Sequence, residues 1–154
     1  MSQTTTLPVT GKLTIKQYNA NGVLVDERNV NNLVVTDGRN WIRDRVLGTG
    51  TLGGATGIMN YMAIGYGTTA AAAGDIYLSK EAGRVGATGS SAGTGAVQYQ
   101  ATFPAGVGST GITEAGIFAG ATGTVPMLAR TVFSVINKGS LDTLAITWTI
   151  TIGS

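Results

Sequence analysis

Side chains able to do covalent or acid–base chemistry are scarce in this chain. It has no His and no Cys. That removes the imidazole base, the Ser-His-Asp triad, the thiolate nucleophile and the common zinc ligand sets. What remains is eight carboxylates, five Tyr and a few Lys. The carboxylates are not spaced to cooperate. Asp26 and Glu27 are adjacent within a predicted strand, where neighbouring side chains point to opposite faces, so they cannot flank one substrate. Asp37 and Asp44 stand two helical turns apart on a face expected to be solvated. No acidic spacing matches a calcium loop. The sequence therefore predicts no enzyme, no metal and no cofactor.

One acid stands out. Glu114 lies inside an apolar strand, Ile112-Thr113-Glu114-Ala115-Gly116-Ile117-Phe118. A buried charge must be paired. Arg130 and Arg84 sit in similarly apolar surroundings. The sequence thus predicts a structural ion pair between Glu114 and either Arg130 or Arg84. Two glycine-rich strings invite a nucleotide reading. G-x-G-x-x-G at residues 48–53 follows a predicted helix instead of a strand. G-x-G-x-x-A at residues 65–70 follows a strand, but no helix of adequate length comes after it. Neither has the strand–turn–helix context that a dinucleotide site needs.

The chain has 154 residues, 24 of them Gly, with 12% charged residues, and Thr is about as common as Gly. The charged fraction is about half the usual level. Net charge is +2. The basic residues are scattered, the closest cluster being Arg39, Arg43 and Arg45 with Asp37 and Asp44 among them. A nucleic-acid surface needs clustered Lys and Arg, so none is predicted. No run of about 20 apolar residues exists to form a membrane-spanning helix, and no secretory leader opens the chain.

The elements that must position these residues are mostly strands. Residues 12–18 and 23–30 alternate around an Asn-Ala-Asn-Gly turn and predict a β-hairpin. Residues 37–47 carry Trp41/Arg45 and Ile42/Val46 at i, i+4 and predict one short α-helix stopped by Gly48. Strands are predicted at 60–66, 83–88, 96–103, 112–118, 126–136 and from Leu144 onward. Residues 89–95 are expected to be a loop, and residues 75–80 fit either a helical turn or a loop. The last strand is the clearest, with Leu144, Ile146, Trp148, Ile150 and Ile152 on one face and Thr on the other. About eight strands, one helix and Gly-rich loops predict an all-β fold, a β-sandwich or jelly-roll-like barrel. Residues 1–11 read as an extended N-terminal arm and 12–154 as a single β-rich domain.

Residues 46–74 and 85–113 contain no charge at all. Surfaces usually scatter charge, so uncharged loops point to subunit or partner contacts. Candidate interface residues are Thr4, Thr5, Thr6, Leu7 and Pro8 in the arm, and Tyr61, Tyr66 and Tyr77. The arm is expected to add a strand to a neighbour's sheet edge. Tyr61, Tyr66, Tyr77 and Tyr99 offer an alternative, an aromatic face for a host glycan. Both Trp fall on apolar stripes and are expected in the core.

Several segments resemble tailed-bacteriophage structural proteins. Tyr61-Met62-Ala63-Ile64-Gly65-Tyr66-Gly67-Thr68-Thr69 is similar to an MAIGxGTTA segment of such proteins. Ile112 to Phe118 with Met127-Leu128-Ala129-Arg130-Thr131-Val132-Phe133 resembles the TEAGIF…LAR pairing of tail-collar fibre attachment modules. The resemblance spans residues 12–152 and implies a small virion protein. A capsid decoration (cement) protein fits the size and the scarcity of catalytic groups. By that resemblance it is a homotrimer on the outer capsid surface, bound to the major capsid protein. A tail, collar or baseplate adaptor is the alternative. It is disfavoured because no fibrous repeats follow the resembling region.

Overall fold

The computed structural model describes residues 8–47 and 58–153. Nine antiparallel strands and one helix follow the chain: β1 (Val9–Tyr18), β2 (Leu24–Val34), α1 (Thr36–Leu47), β3 (Tyr61–Gly65), β4 (Glu81–Gly86), β5 (Thr88–Ser91), β6 (Ala96–Phe103), β7 (Gly111–Phe118), β8 (Met127–Asn137) and β9 (Thr143–Ile152). They form one sheet in the order β4-β3-β7-β8-β2-β1-β9-β6-β5, nearly closed into a barrel. The all-β expectation is met.

The β1–β2 hairpin is inserted between β8 and β9, so the two long C-terminal strands are separated although only a short turn joins them. Its turn closes because Gly22 takes a left-handed φ of 74°, while the Asn19 side chain accepts the amides of Asn21 and Val23 at 2.9 and 3.1 Å. β2 is the shared strand. Its first part pairs with β1, and only Leu33 and Val34 pair with β8.

Inside the barrel, β1 contributes Leu13 and Ile15, β9 contributes Leu144, Ile146, Trp148 and Ile150, and β6 contributes Tyr99, Ala101 and Phe103. The opposite wall adds Met62, Ile64, Ile112 and Ile117. Each fully buried aliphatic or Phe side chain contributes about 1.5–3 kcal/mol of transfer free energy. A second apolar cluster joins Val35, Ala63, Leu78, Phe118 and Met127, so β3, β7 and the start of β8 bury residues on both faces.

Three details depart from the sequence expectations, and one segment resolves to one of its two expected forms. β1 begins at Val9, and Val9, Thr10 and Gly11 pair with Ile152, Thr151 and Ile150, so the strand starts before the expected boundary at residue 12. Residues 89–91, expected in a loop, join Thr88 to form β5. The string Thr-Gly-Ser-Ser carries no apolar alternation because all four residues are exposed, and its ladder comes from β6 alone. The segment 75–80 is an irregular covering strap that buries Leu78. Asp44, expected on a solvated helix face, is 6% exposed and accepts two hydrogen bonds from Arg43 at 2.9 and 2.7 Å.

Candidate functional site

β7 and β8 place Glu114 and Arg130 against the outside of the barrel wall, under residues 66–80. The placement depends on an irregularity. Ile112 and Ile117 both join the central core although they stand five positions apart, an odd spacing, so β7 changes face between them. Its register with β8 shifts between Ile112 and Glu114, where the pairing moves from Ile112↔Ile136 to Glu114↔Val132. Such irregularities re-aim side chains. Glu114 is thereby turned out of the core and under the covering loop.

The pair is fully buried, with Glu114 at 0% and Arg130 at 1% exposure. Arg130 donates to Glu114 Oε2 from Nε at 3.1 Å and from Nη2 at 2.8 Å. Glu114 Oε1 also accepts the amides of Gly67 at 2.9 Å and Lys80 at 2.7 Å, and Oε2 accepts the amide of Ser79 at 3.0 Å. Both ends of the covering loop therefore hang on one carboxylate. Arg130 holds the middle. Nη1 donates to Asp75 Oδ2 at 2.8 Å and to the Ala70 carbonyl at 3.3 Å, and Nη2 donates to the Thr69 carbonyl at 2.9 Å and Ser79 Oγ at 3.0 Å. Thr113 Oγ1 adds a bond to the Gly67 carbonyl at 2.6 Å.

Burial pushes the Glu114 pKa up, but the Lys80 amide, Arg130 and the Ser79 and Gly67 amides together outweigh it, and the net shift is downward. The carboxyl stays ionised well below the usual Glu range. Both Glu114 oxygens are filled by donors from this chain. The arrangement positions a loop.

The Gly-x-Gly string at the end of β3 now has a steric reason. A Cβ on Gly67 would stand 2.5 Å from Glu114 Oε1 and collide with the Ser79 side chain. A Cβ on Gly65 would stand 2.7 Å from the same oxygen and collide with the Lys80 carbonyl. These glycines clear space for a carboxylate. The other string, at 48–53, lies outside the described residues.

Arg84 is not the partner of Glu114. It pairs with Glu81 at 2.6 Å, donates to the Gly120 carbonyl at 2.9 Å and lies 3.9 Å from the centre of the Phe118 ring. Sequence reasoning missed Asp75, Ser79 and Lys80 as members of the network. Only Asp75 left a signal, as the acid that closes the uncharged stretch 46–74.

The anchored loop turns large apolar side chains outward. Tyr66 is 48% exposed, Ile76 48% and Tyr77 67%, and the Lys80 ammonium lies 5.6 Å from the centre of the Tyr66 ring. The structure thus places Tyr66 and Tyr77 on the loop that Glu114 of β7 and Arg130 of β8 anchor. Tyr61 is half-buried beneath the second cluster, and Pro8 is exposed at the start of β1, its carbonyl accepting the Gly153 amide at 2.8 Å. Thr4, Thr5, Thr6 and Leu7 lie outside the described residues. Tyr99 faces the barrel interior at 6% exposure, which removes it from the aromatic surface expected for a glycan.

Among the described residues no group of three Asp or Glu lies close enough to hold a metal ion, and no helix is long and apolar enough to cross a membrane. No family model, curated protein or solved structure matches the chain.

Proposed function

We propose that this chain is a structural protein of a tailed-bacteriophage virion, a decoration (cement) protein that binds the outer capsid surface. One observation carries the reading: a buried Glu114–Arg130 pair pins a loop that presents Tyr66, Ile76 and Tyr77 to solvent. A loop held by seven hydrogen bonds to two side chains loses little entropy on docking, and exposed Tyr and Ile supply contact area. The start of the loop and the two strands that anchor it fall in the segments that resemble phage virion proteins, residues 61–69, 112–118 and 127–133.

The proposed mechanism is passive. The domain bridges neighbouring copies of the major capsid protein, and trimerisation of the chain multiplies weak contacts into avidity. The test is electron microscopy of virions labelled with an antibody to this chain. Label over the shell supports decoration. Label on the tail or collar moves the chain to the fibre-attachment reading that the 112–118 and 127–133 segments also resemble. Virions that take no label at all refute both.

A further inference from the structure

The outer face of β1, β9 and β6 has no covering element among the described residues, and its chemistry is of one kind. Alternation sends Leu144, Ile146, Trp148 and Ile150 inward, which leaves the threonines of β9 outward. Strand register assembles outward side chains into rows. One row runs Gln98–Thr149–Lys12–Asn31 across β6, β9, β1 and β2. The next runs Gln100–Thr147–Thr14–Asn29. Rows lie about 7 Å apart along the strands, and neighbours within a row about 5 Å apart.

Two hollows open in succession along the β1/β9 ladder. The larger, about 690 Å³, runs from Thr14 to Tyr18 on β1 and reaches Thr147, Gln100 and Thr88. The smaller, about 370 Å³, is formed by Thr10 and Lys12 on β1 with Thr149, Thr151 and Asn31. Together they follow eight residue steps of strand, about 27 Å. Their volumes fall in the range of ligand clefts.

We infer that this face binds an acidic polysaccharide lying along β1 and β9. Hydroxyls and carboxamides each both donate and accept, which is what vicinal sugar hydroxyls require. Part of the array is pre-set: Thr14 Oγ1 donates to Asn29 Oδ1 at 2.8 Å, and Gln100 Nε2 donates to Gln98 Oε1 at 3.2 Å. The hydroxyls of Thr147, Thr149 and Thr151 have no side-chain partner among the described residues and remain available. Charge selects the class. Lys16 lies 4.0 Å from Glu27, while Lys12 has no ionic partner among the described residues. One free ammonium in a neutral polar groove suits a polymer with an occasional carboxylate. A nucleic-acid strand, with a charge on every residue, is matched by several cations and stacked aromatic rings. This face offers two lysines and, at its end, Tyr18 alone.

The test is titration of the isotope-labelled full chain with hyaluronan, unsulfated chondroitin and sialyllactose, followed by amide chemical shifts. Maltoheptaose serves as the neutral probe and a fifteen-residue oligothymidine as the nucleic-acid probe. At least one acidic saccharide is expected to shift the amides of Lys12, Thr14, Thr147 and Thr149 and to bind more tightly than maltoheptaose. Lys12→Gln is expected to weaken that binding about tenfold, and Thr147→Val to weaken it less, both with unchanged melting temperature. The inference is overturned if no acidic saccharide shifts this face, if maltoheptaose binds as tightly, if Lys12→Gln binds like the parent, or if oligothymidine occupies the face more tightly.

Discussion

The two halves of the barrel wall solve the same packing problem with opposite outer surfaces. Around β3, β7 and the start of β8 both faces are buried, and a strap of chain is bolted on by a buried ion pair. Around β1 and β9 the inner face is apolar, and the outer face is half-exposed Thr and Lys with no cover. On the first half, a charge is kept in a dry place because it accepts or donates bonds to five main-chain groups of the strap. On the second, alternation alone suffices, and the outward threonines of β9 are energetically almost independent of their neighbours. The first half therefore stakes its stability on a few residues, and the second spreads it over a ladder.

The comparison breaks most sharply at Glu114. Glu114→Gln removes the charge opposite Arg130 and turns an amide donor toward a pocket of donors. Breaking a buried pair costs about 3–5 kcal/mol, and here it leaves Arg130 with only the part-exposed Asp75 opposite it. Urea unfolding is expected to show a large fall in midpoint, and a change within 0.5 kcal/mol (about the scatter of neutral surface substitutions) refutes the structural role. pH provides a second reading of the same pair. Because the native pKa of Glu114 is lowered, the unfolded state binds more protons between the native and the ordinary Glu value. The stabilisation is complete above the ordinary value and is lost as pH falls through the native one. The parent should lose stability across that acid window, and Glu114→Gln should flatten this part of the profile.

A smaller effect separates the same halves through glycine. Gly67→Ala sets a methyl group against Glu114 and Ser79, and overpacking of that kind costs about 1–3 kcal/mol. Gly86→Ala, at the end of β4, meets nothing within 4 Å and serves as the control. Thermal melting should fall for the first and stay near the parent for the second. Equal melting temperatures would mean that the strap gives way without cost, and the loop would no longer count as rigidly held.

Legibility in the sequence follows the same division. The β9 pattern was readable because one face is wet and the period is strict, and the β1–β2 hairpin because its turn residues are specific. The importance of Glu114 was readable from an acid in an apolar run, and Arg130 as one of two partners. The choice between Arg130 and Arg84 was not readable, because it depends on β7 pairing with β8 and on the face change after Ile112. β5 left no signal, since an exposed edge strand of Thr-Gly-Ser-Ser has no apolar period. Asp44 was misplaced because helical spacing shows which residues share a face and does not show what packs against it. The bonds from Gly67, Ser79 and Lys80 involve main-chain amides, which every residue carries, so side-chain identity could not mark them.

The smallest effect is expected on the bare half, and it sharpens the contrast by being nearly absent. Thr147 points outward from β9, flanked by Thr14 and Gln100. Thr147→Val keeps the branched shape and the strand preference, exchanges a hydroxyl open to solvent for a methyl, and leaves no buried group without a partner. Its stability should match the parent within about 0.5 kcal/mol in urea unfolding. A loss above about 1 kcal/mol would mean that the threonine rows hold one another through shared hydrogen bonds. The outer face would then be a cooperative structural element, and the independence claimed for this half of the wall would fail.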